Sequence, residues 1–309
     1  MSSRLLVTID VEALPGRADR DHVSRLIWGQ HAKGRAGIVE ICEVLEAAGG
    51  IGLFFLEVAG SLDDLAAYRE VNSFLVRRGH LVEWHFHPEI LSRKFWRSQG
   101  ASGGTMRQDL FDARDARVIL QFGLEQFRKI TGRNPRAYRA GSFRWNEHVI
   151  EFLGENAIPY SFNACAETAV RDNFVTFEPE SPRPFKWSNG VIELPCGEVR
   201  DGGEIIHFRF PRQFPKSLPP DVLARHLCEQ SGGPVQLLLH SWSLLSRDEH
   251  QNFVYVDDSK WKFLSRTIQK LAIRHSLPTN ASDFFSAIDQ ASVQDTVNLV
   301  DNGGVDDVD

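Results

Sequence analysis

Two pairs of residues are the best placed in this chain to do chemistry: Asp10 and Glu12 in "TIDVE", and His85 and His87 in "HLVEWHFHPE". Each pair closes an apolar run that reads as a β-strand. Side chains alternate along a strand, so the members of a pair project from the same side. Imidazole nitrogen and carboxylate oxygen are both ligands for Zn²⁺ or a similar divalent ion, which lowers the pKa of its bound water toward ~7. Hydrolysis is the reaction this prepares. Of two close carboxylates, one can hold the cation while the other accepts a proton. Plainer readings stay open: Asp10 and Glu12 as solvated loop carboxylates or helix caps, His85 and His87 as histidines satisfied by hydrogen bonds.

Two further residues stand at strand ends. Arg139, in "YRAGSFRW", follows a short strand and meets a small-residue loop, where its guanidinium can pair with Asp10 or form an ordinary salt bridge. His240 closes "VQLLLHSW" and suits protonation of a leaving amine, or else is a structural histidine beside Trp242. Strand ends matter because the carboxyl ends of parallel strands meet at one face, where ligands bind.

The elements that must position these residues alternate. "RLLVTID" reads as the first strand, "GIVEICEVLEAAGG" as a helix ended by Gly49 and Gly50, and "IGLFFLEV" as a buried strand. "SLDDLAAYREVNSFLVRRG" is a helix with Ser61 as its expected N-cap, and "HLVEWHFH" the third strand. A polar loop over about 91–108 leads to a long helix ending near Gly132, and further βα units follow, with strands at "RAYRA", "IPYSFNA", "GVIELPCGE" and "PVQLLLHSW". Seven or eight βα units in one chain predict a single barrel domain over 1–288. The stretch 289–309, acidic and without aromatics, is expected to be a disordered tail.

At 309 residues, with 42% hydrophobic and 25% charged residues, the chain has the composition of an ordinary globular protein with a full core. A net charge of −6 and no basic block argue against nucleic acid as partner. No apolar run approaches the ~20 residues of a membrane span and no signal-peptide pattern precedes the first strand, so the expectation is a cytoplasmic protein. Cys42, Cys165, Cys196 and Cys228 form no C-x-x-C pair, so neither a zinc knuckle nor a redox pair is written locally; they read as reduced core thiols.

In their order along the chain, "TIDVEAL", "GHLVEWHFHPE", "YRAGSFRW" and "LLLHSW" resemble the motifs of the NodB-type polysaccharide deacetylases, carbohydrate esterase family 4, in a variant with D-x-E and H-x-H-P. "GLFFLEV" and "GVIELP" resemble two of that family's strands. The resemblance covers about residues 4–242 and implies a deformed (β/α)7 TIM-like barrel. It also implies metal-dependent hydrolysis of an N-acetyl or similar group on a sugar. It casts Asp10 as general base, Glu12 and His85 as metal ligands, His240 as general acid, Arg139 as orienter of the base and the backbone N–H near Ser142 as oxyanion donor.

Three departures stand out. The family's usual histidines are four apart, whereas here His87 follows His85 by two and Glu89 takes the fourth place; His87 is the expected third ligand and Glu89 the alternative. Ser161 and Asn163 stand where the family's acidic motif falls. A longer Glu12, separated by Val11, replaces the second of two adjacent aspartates. The expected cofactor is a divalent metal, Zn²⁺ first. The expected substrate is a small nucleotide- or lipid-linked sugar on the way to a surface polysaccharide, with Trp28, Trp84, Trp145 and Trp242 as possible ring-stacking residues. Two other readings stand beside it: an amidase of a non-carbohydrate C–N bond, with or without a metal, and a silent sugar-binding protein. Oligomeric state is not written in the sequence.

Overall fold

The structure, a computed structural model, describes residues 4–13, 21–168, 183–201, 203–211, 219–231, 233–291 and 296–299. Numbering only the strands of the main sheet, these are β1 (Leu5–Val11), β2 (Leu53–Glu57), β3 (Leu81–Phe86), β4 (Ala137–Ala140) and β5 (Tyr160–Ser161). They continue with β6 (Phe185–Trp187), β7 (Ile192–Glu193), β8 (Val235–His240) and β9 (Thr296–Val297). The sheet order is β8-β1-β2-β3-β4-β5-β7-β6-β9. Every pairing from β8 to β7 is parallel, giving seven parallel strands.

The ring closes without a regular ladder. Phe208 N donates to Gly197 O at 2.6 Å just past β7, and Leu238 N of β8 donates to Phe208 O at 3.1 Å. Phe210 N then returns to Leu238 O at 2.8 Å. Residues 208–210 thus bridge the last strand to the first, and the fold is a deformed (β/α)7 barrel.

Alternation along β1 shows how the sequence sorts the two faces. Leu5, Val7, Ile9 and Val11 pack into the layer between sheet and helices, whereas Leu6 belongs to an inner cluster with Leu53, Phe55, Phe162 and Leu194. Phe284, Phe285 and Ile288, from helix Ala281–Ala291, complete that inner cluster, and Phe285 stacks on Tyr160 at 4.6 Å. Each such side chain contributes about 1.5–3 kcal/mol by leaving water. Leu6, Leu53 and Tyr160 stand at the starts of their strands, so this helix packs against the barrel end opposite the strand termini that carry Asp10, His85 and His240.

The helix expected after Ser61 begins later. A 3-10 turn, Ala59–Leu62, absorbs Ser61, whose hydroxyl donates to Val58 O at 2.7 Å. Asp64 instead caps helix Leu65–Arg77, accepting from Ala67 N at 2.9 Å. Part of the stretch expected to be a disordered tail is ordered: helix Ala281–Ala291 runs past 288, and β9 pairs with β6 in parallel register. Residues 292–295 and 300–309 of that stretch lie outside the described residues.

Candidate active site at the strand ends

Strand register alone gathers the site. Asp10 is the partner of His240 on one side and of Phe55 on the other. Glu57 is the partner of His85, and His85 of Arg139. Residues distant in sequence therefore reach one level of the barrel, at its carboxyl end.

Arg139 is wholly buried, a costly place for a guanidinium unless its charge and donors are met. Its Nη1 donates to Asp10 Oδ1 at 2.6 Å, and its Nη2 to Thr8 Oγ1 at 3.0 Å and Gln236 Oε1 at 2.6 Å. The Phe55 ring lies 4.2 Å from its Cζ and Phe143 5.4 Å. Thr8 and Gln236 escaped the sequence reading; both point inward, Thr8 two residues before Asp10 on β1. The other carboxylate oxygen of Asp10 lies 3.9 Å from His240 Nε2.

Glu12, His85 and His87 converge. His85 Nδ1 donates to Arg139 O at 2.8 Å, which fixes the tautomer and leaves Nε2 with a lone pair facing Glu12 Oε1 at 3.1 Å. His87 Nε2 approaches the same oxygen at 3.0 Å. Lone-pair atoms at such distances repel unless a proton or a cation lies among them, and one carboxylate oxygen with two imidazole nitrogens is a donor set that fits a divalent ion. Burial opposes the charged form of His87, but the carboxylates of Glu89 and Glu12 overcome it and hold its pKa well above the ordinary imidazole value. The pocket favours positive charge here. Glu12 is aimed by the Trp242 indole, which donates to its Oε2 at 3.2 Å, and by Ser241 Oγ, which accepts from its backbone N–H at 3.2 Å.

Glu89 takes the other face of His87: its Oε1 lies 2.6 Å from Nδ1. That is the position of a carboxylate that orients a ligating imidazole. Gly141 has the same importance for His87. A Cβ there would stand 2.6 Å from His87 Nδ1 and 2.7 Å from Phe86 O. Gly141→Ala is therefore expected to push the His87 ring aside and weaken metal affinity by about 10–100-fold, the usual loss when a ligand's support is disturbed. Titration with Zn²⁺ against a competing chelator measures it, and unchanged affinity would refute the role given to His87.

His240 is partly exposed, 19% for its side chain, and stacks on Trp242 at 4.2 Å. Asp10, Glu12 and His240 also form a group whose ligand atoms lie within 4.8 Å, as do Glu12, His85 and His87. Glu12 joins the two sets. Ser142 lies in the 3-10 turn Gly141–Phe143 after β4 with φ +55°, and Phe143 follows at +54°. Consecutive left-handed residues are uncommon outside glycine and mark a turn held in a set conformation.

Other buried groups were not anticipated. Glu57 at the end of β2 accepts from Ala59 N at 2.7 Å and from His87 N at 3.4 Å. Burial raises its pKa, against the nearby His87 and the N–H groups of Gly60 and Ala59. Where the acidic motif was missing, Asn163 Oδ1 accepts from Ala140 N at 2.6 Å, and Glu193 accepts from the backbone of Asn163 and Ala164 at 2.7 and 2.9 Å. These side chains tie β4, β5 and β7 together. His80, the first histidine before the pair, has no place in the site: it accepts from Gly52 N at 3.2 Å and faces Glu46.

Among solved structures the chain is similar to a Mycobacterium smegmatis protein provisionally assigned as a polysaccharide deacetylase. The identity is 16% and the TM-score 0.57, over 96% of this chain and 94% of that one. It is also similar to a family 4 carbohydrate-esterase pseudoenzyme from Bacillus anthracis (13%, TM-score 0.45, 96% and 69% covered). A third is a Parabacteroides distasonis protein provisionally assigned as a glycoside hydrolase/deacetylase (13%, TM-score 0.48, 88% and 67%). No family model and no curated protein matches the chain. The fold is that of the polysaccharide deacetylases, as the resemblance of the four motifs implied.

Proposed function

We propose that the protein is a metal-dependent hydrolase that removes an N-acetyl or similar N-acyl group from a sugar. The observation that carries this reading is the convergence of Glu12 Oε1, His85 Nε2 and His87 Nε2 beside the Asp10–Arg139 pair and His240. Glu12, His85 and His87 would hold a divalent ion, Zn²⁺ by donor type. Bound there, it supplies Lewis acidity for the acyl carbonyl and makes water a better nucleophile.

The chain's own residues do the rest. Asp10 Oδ2 takes the proton of the attacking water while Oδ1 stays fixed on Arg139. The N–H at Ser142 donates to the developing oxyanion. His240 Nε2 gives a proton to the departing sugar nitrogen, and its stack on Trp242 holds the ring plane during that transfer.

Two cavities near the site support a sugar substrate, the smaller of them with an anionic group. A cleft of about 840 Å³ borders the strand ends at Ala13 and Gly60 and includes Trp28, an apolar ring face for a sugar. Trp84 and Trp145 are buried packing residues, and Trp242 serves Glu12. A smaller pocket of about 230 Å³, beside Gly141 and Glu89, is lined by Arg93 and Arg144, and by Arg107, which is paired with Asp109. Guanidinium groups there suit the phosphates of a nucleotide- or lipid-linked sugar. The expected setting is cytoplasmic; among the described residues no helix is long and apolar enough to cross a membrane.

The test is metal content and deacetylation of N-acetylated sugar nucleotides by wild-type, His87→Ala and Glu89→Ala proteins. His87→Ala is expected to lose the ion of this site and all turnover. Glu89→Ala is expected to keep the ion with affinity reduced by about 10–100-fold. Full metal occupancy of this site in His87→Ala would overturn the ligand set.

A further inference from the structure

We propose that Cys165, Cys196 and His207 form a second, structural metal site at the seam of the barrel, taking a thiophilic divalent ion of the Zn²⁺ class. The ligand atoms of the three lie within 4.8 Å of one another, and none of the side chains is more than 2% exposed. They share no residue with the Glu12 site.

The geometry suits tetrahedral coordination. Cys165 Sγ stands 3.9 Å from His207 Nδ1. Bonds of about 2.3 Å to sulfur and 2.0–2.1 Å to nitrogen at a tetrahedral angle would separate these atoms by roughly 3.6 Å, so binding asks for a shift of a few tenths of an ångström. Two carboxylates stand at the margin: Glu198 Oε1 at 3.5 Å from Cys165 Sγ, and Glu167 Oε2 at 3.6 Å from His207 Nδ1. Glu198 is itself held by the backbone N–H groups of Ala166 and Glu167, both at 2.8 Å. Core cysteines that only fill space need apolar neighbours. Two buried thiols and a buried imidazole, with two half-buried carboxylates beside them, are instead a donor set for a soft ion, with an oxygen available as the fourth ligand. Binding releases the two thiol protons to solvent.

The location gives the ion a purpose. Cys165 follows β5, Cys196 follows β7, and His207 ends the second strand of hairpin Glu198–Asp201/Glu204–His207. Cys165 and Cys196 flank the bond from Cys196 N to Ala164 O, 2.8 Å, which extends the β5–β7 pairing, and His207 precedes Phe208, whose N–H donates to Gly197 O at 2.6 Å, one of the bonds that close the ring. An ion held by all three cross-links these segments where the ladder gives out. Phe143, clustered with Cys165 and Cys196, lies 6.1 Å from the His207 ring and 5.4 Å from Arg139 Cζ, so the cross-link also supports the turn that carries Ser142.

Cobalt replacement separates this site from the one at Glu12, whose nitrogen and oxygen ligands give no thiolate-to-cobalt charge transfer. The full-length protein, reduced and stripped of metal, is titrated with Co²⁺. The expected result is a near-ultraviolet charge-transfer band with the intensity of one thiolate-bound Co²⁺ per chain, which persists in His87→Ala and there saturates at one equivalent. Cys165→Ser and Cys196→Ser are each expected to lose the band and one equivalent of Zn²⁺ while keeping the His87-dependent equivalent. No such band in wild-type protein at Co²⁺ saturation, a measurement that needs no variant to fold, overturns the proposal. Unchanged zinc content in both cysteine variants does the same. A failure of the catalytic reading would show instead as His87→Ala retaining the Glu12-site ion, with the charge-transfer band unaffected.

Discussion

Asp10→Asn is expected to lower kcat by about 10²–10⁴-fold, the contribution of a positioned general base. The change keeps size and shape, and the amide oxygen can still accept from Arg139 Nη1, now 2.6 Å away. What it removes is the ability to take a proton. Because Glu12, His85 and His87 are untouched, metal content should stay at the wild-type value and KM should move little. The loss must therefore appear in kcat. Steady-state kinetics beside elemental analysis decides it; activity within about tenfold of wild type would move the base elsewhere, since base catalysis is worth at least about 100-fold. The same variant, inactive but still binding sugar and metal, separates an enzyme from a silent sugar-binding barrel.

Arg139→Ala is expected to cost about 3–5 kcal/mol of folding stability, the price of breaking a buried ion pair by removing one partner. Asp10 would be left buried at 2% exposure without its cation, and Thr8 and Gln236 would lose their shared donor. The ring faces of Phe55 and Phe143 would border a cavity. Arg139→Lys restores the charge but not the fork, since one ammonium cannot reach Asp10, Thr8 and Gln236 with the same geometry. It should recover part of the stability and less of the activity. Urea unfolding measures both variants; a loss under about 1 kcal/mol for Arg139→Ala would place the pair among weak salt bridges of the kind found at surfaces.

Much of this site was legible before any coordinates. Asp10, Glu12, His85, Arg139 and His240 all sit where short apolar runs end, and a parallel barrel brings such ends to one face whatever the details of its loops. Period-two spacing made each of the pairs Asp10/Glu12 and His85/His87 share a side, and the structure turns both toward a common point. The chain order of strands and helices likewise followed from alternating apolar periods, because those periods are local and need no partner to be read.

The choice between His87 and Glu89 was not local. Spacing put both within reach, and only the turn after β3 shows that His87 presents Nε2 to Glu12 while Glu89 meets Nδ1 from behind. The support of Arg139 was equally hidden, since Gln236 arrives from the opposite end of the chain through the β1–β8 register. The cysteines show the same limit. With no C-x-x-C spacing, Cys165 and Cys196 read as separate core thiols, yet the irregular closure between β7 and β8 brings them together with His207. Sequence determined which residues stand at strand ends and which side they face, because a strand's alternation is set by its own backbone. Tertiary structure decided which of those groups touch, because register, closure and turn conformation depend on pairings between segments up to hundreds of residues apart.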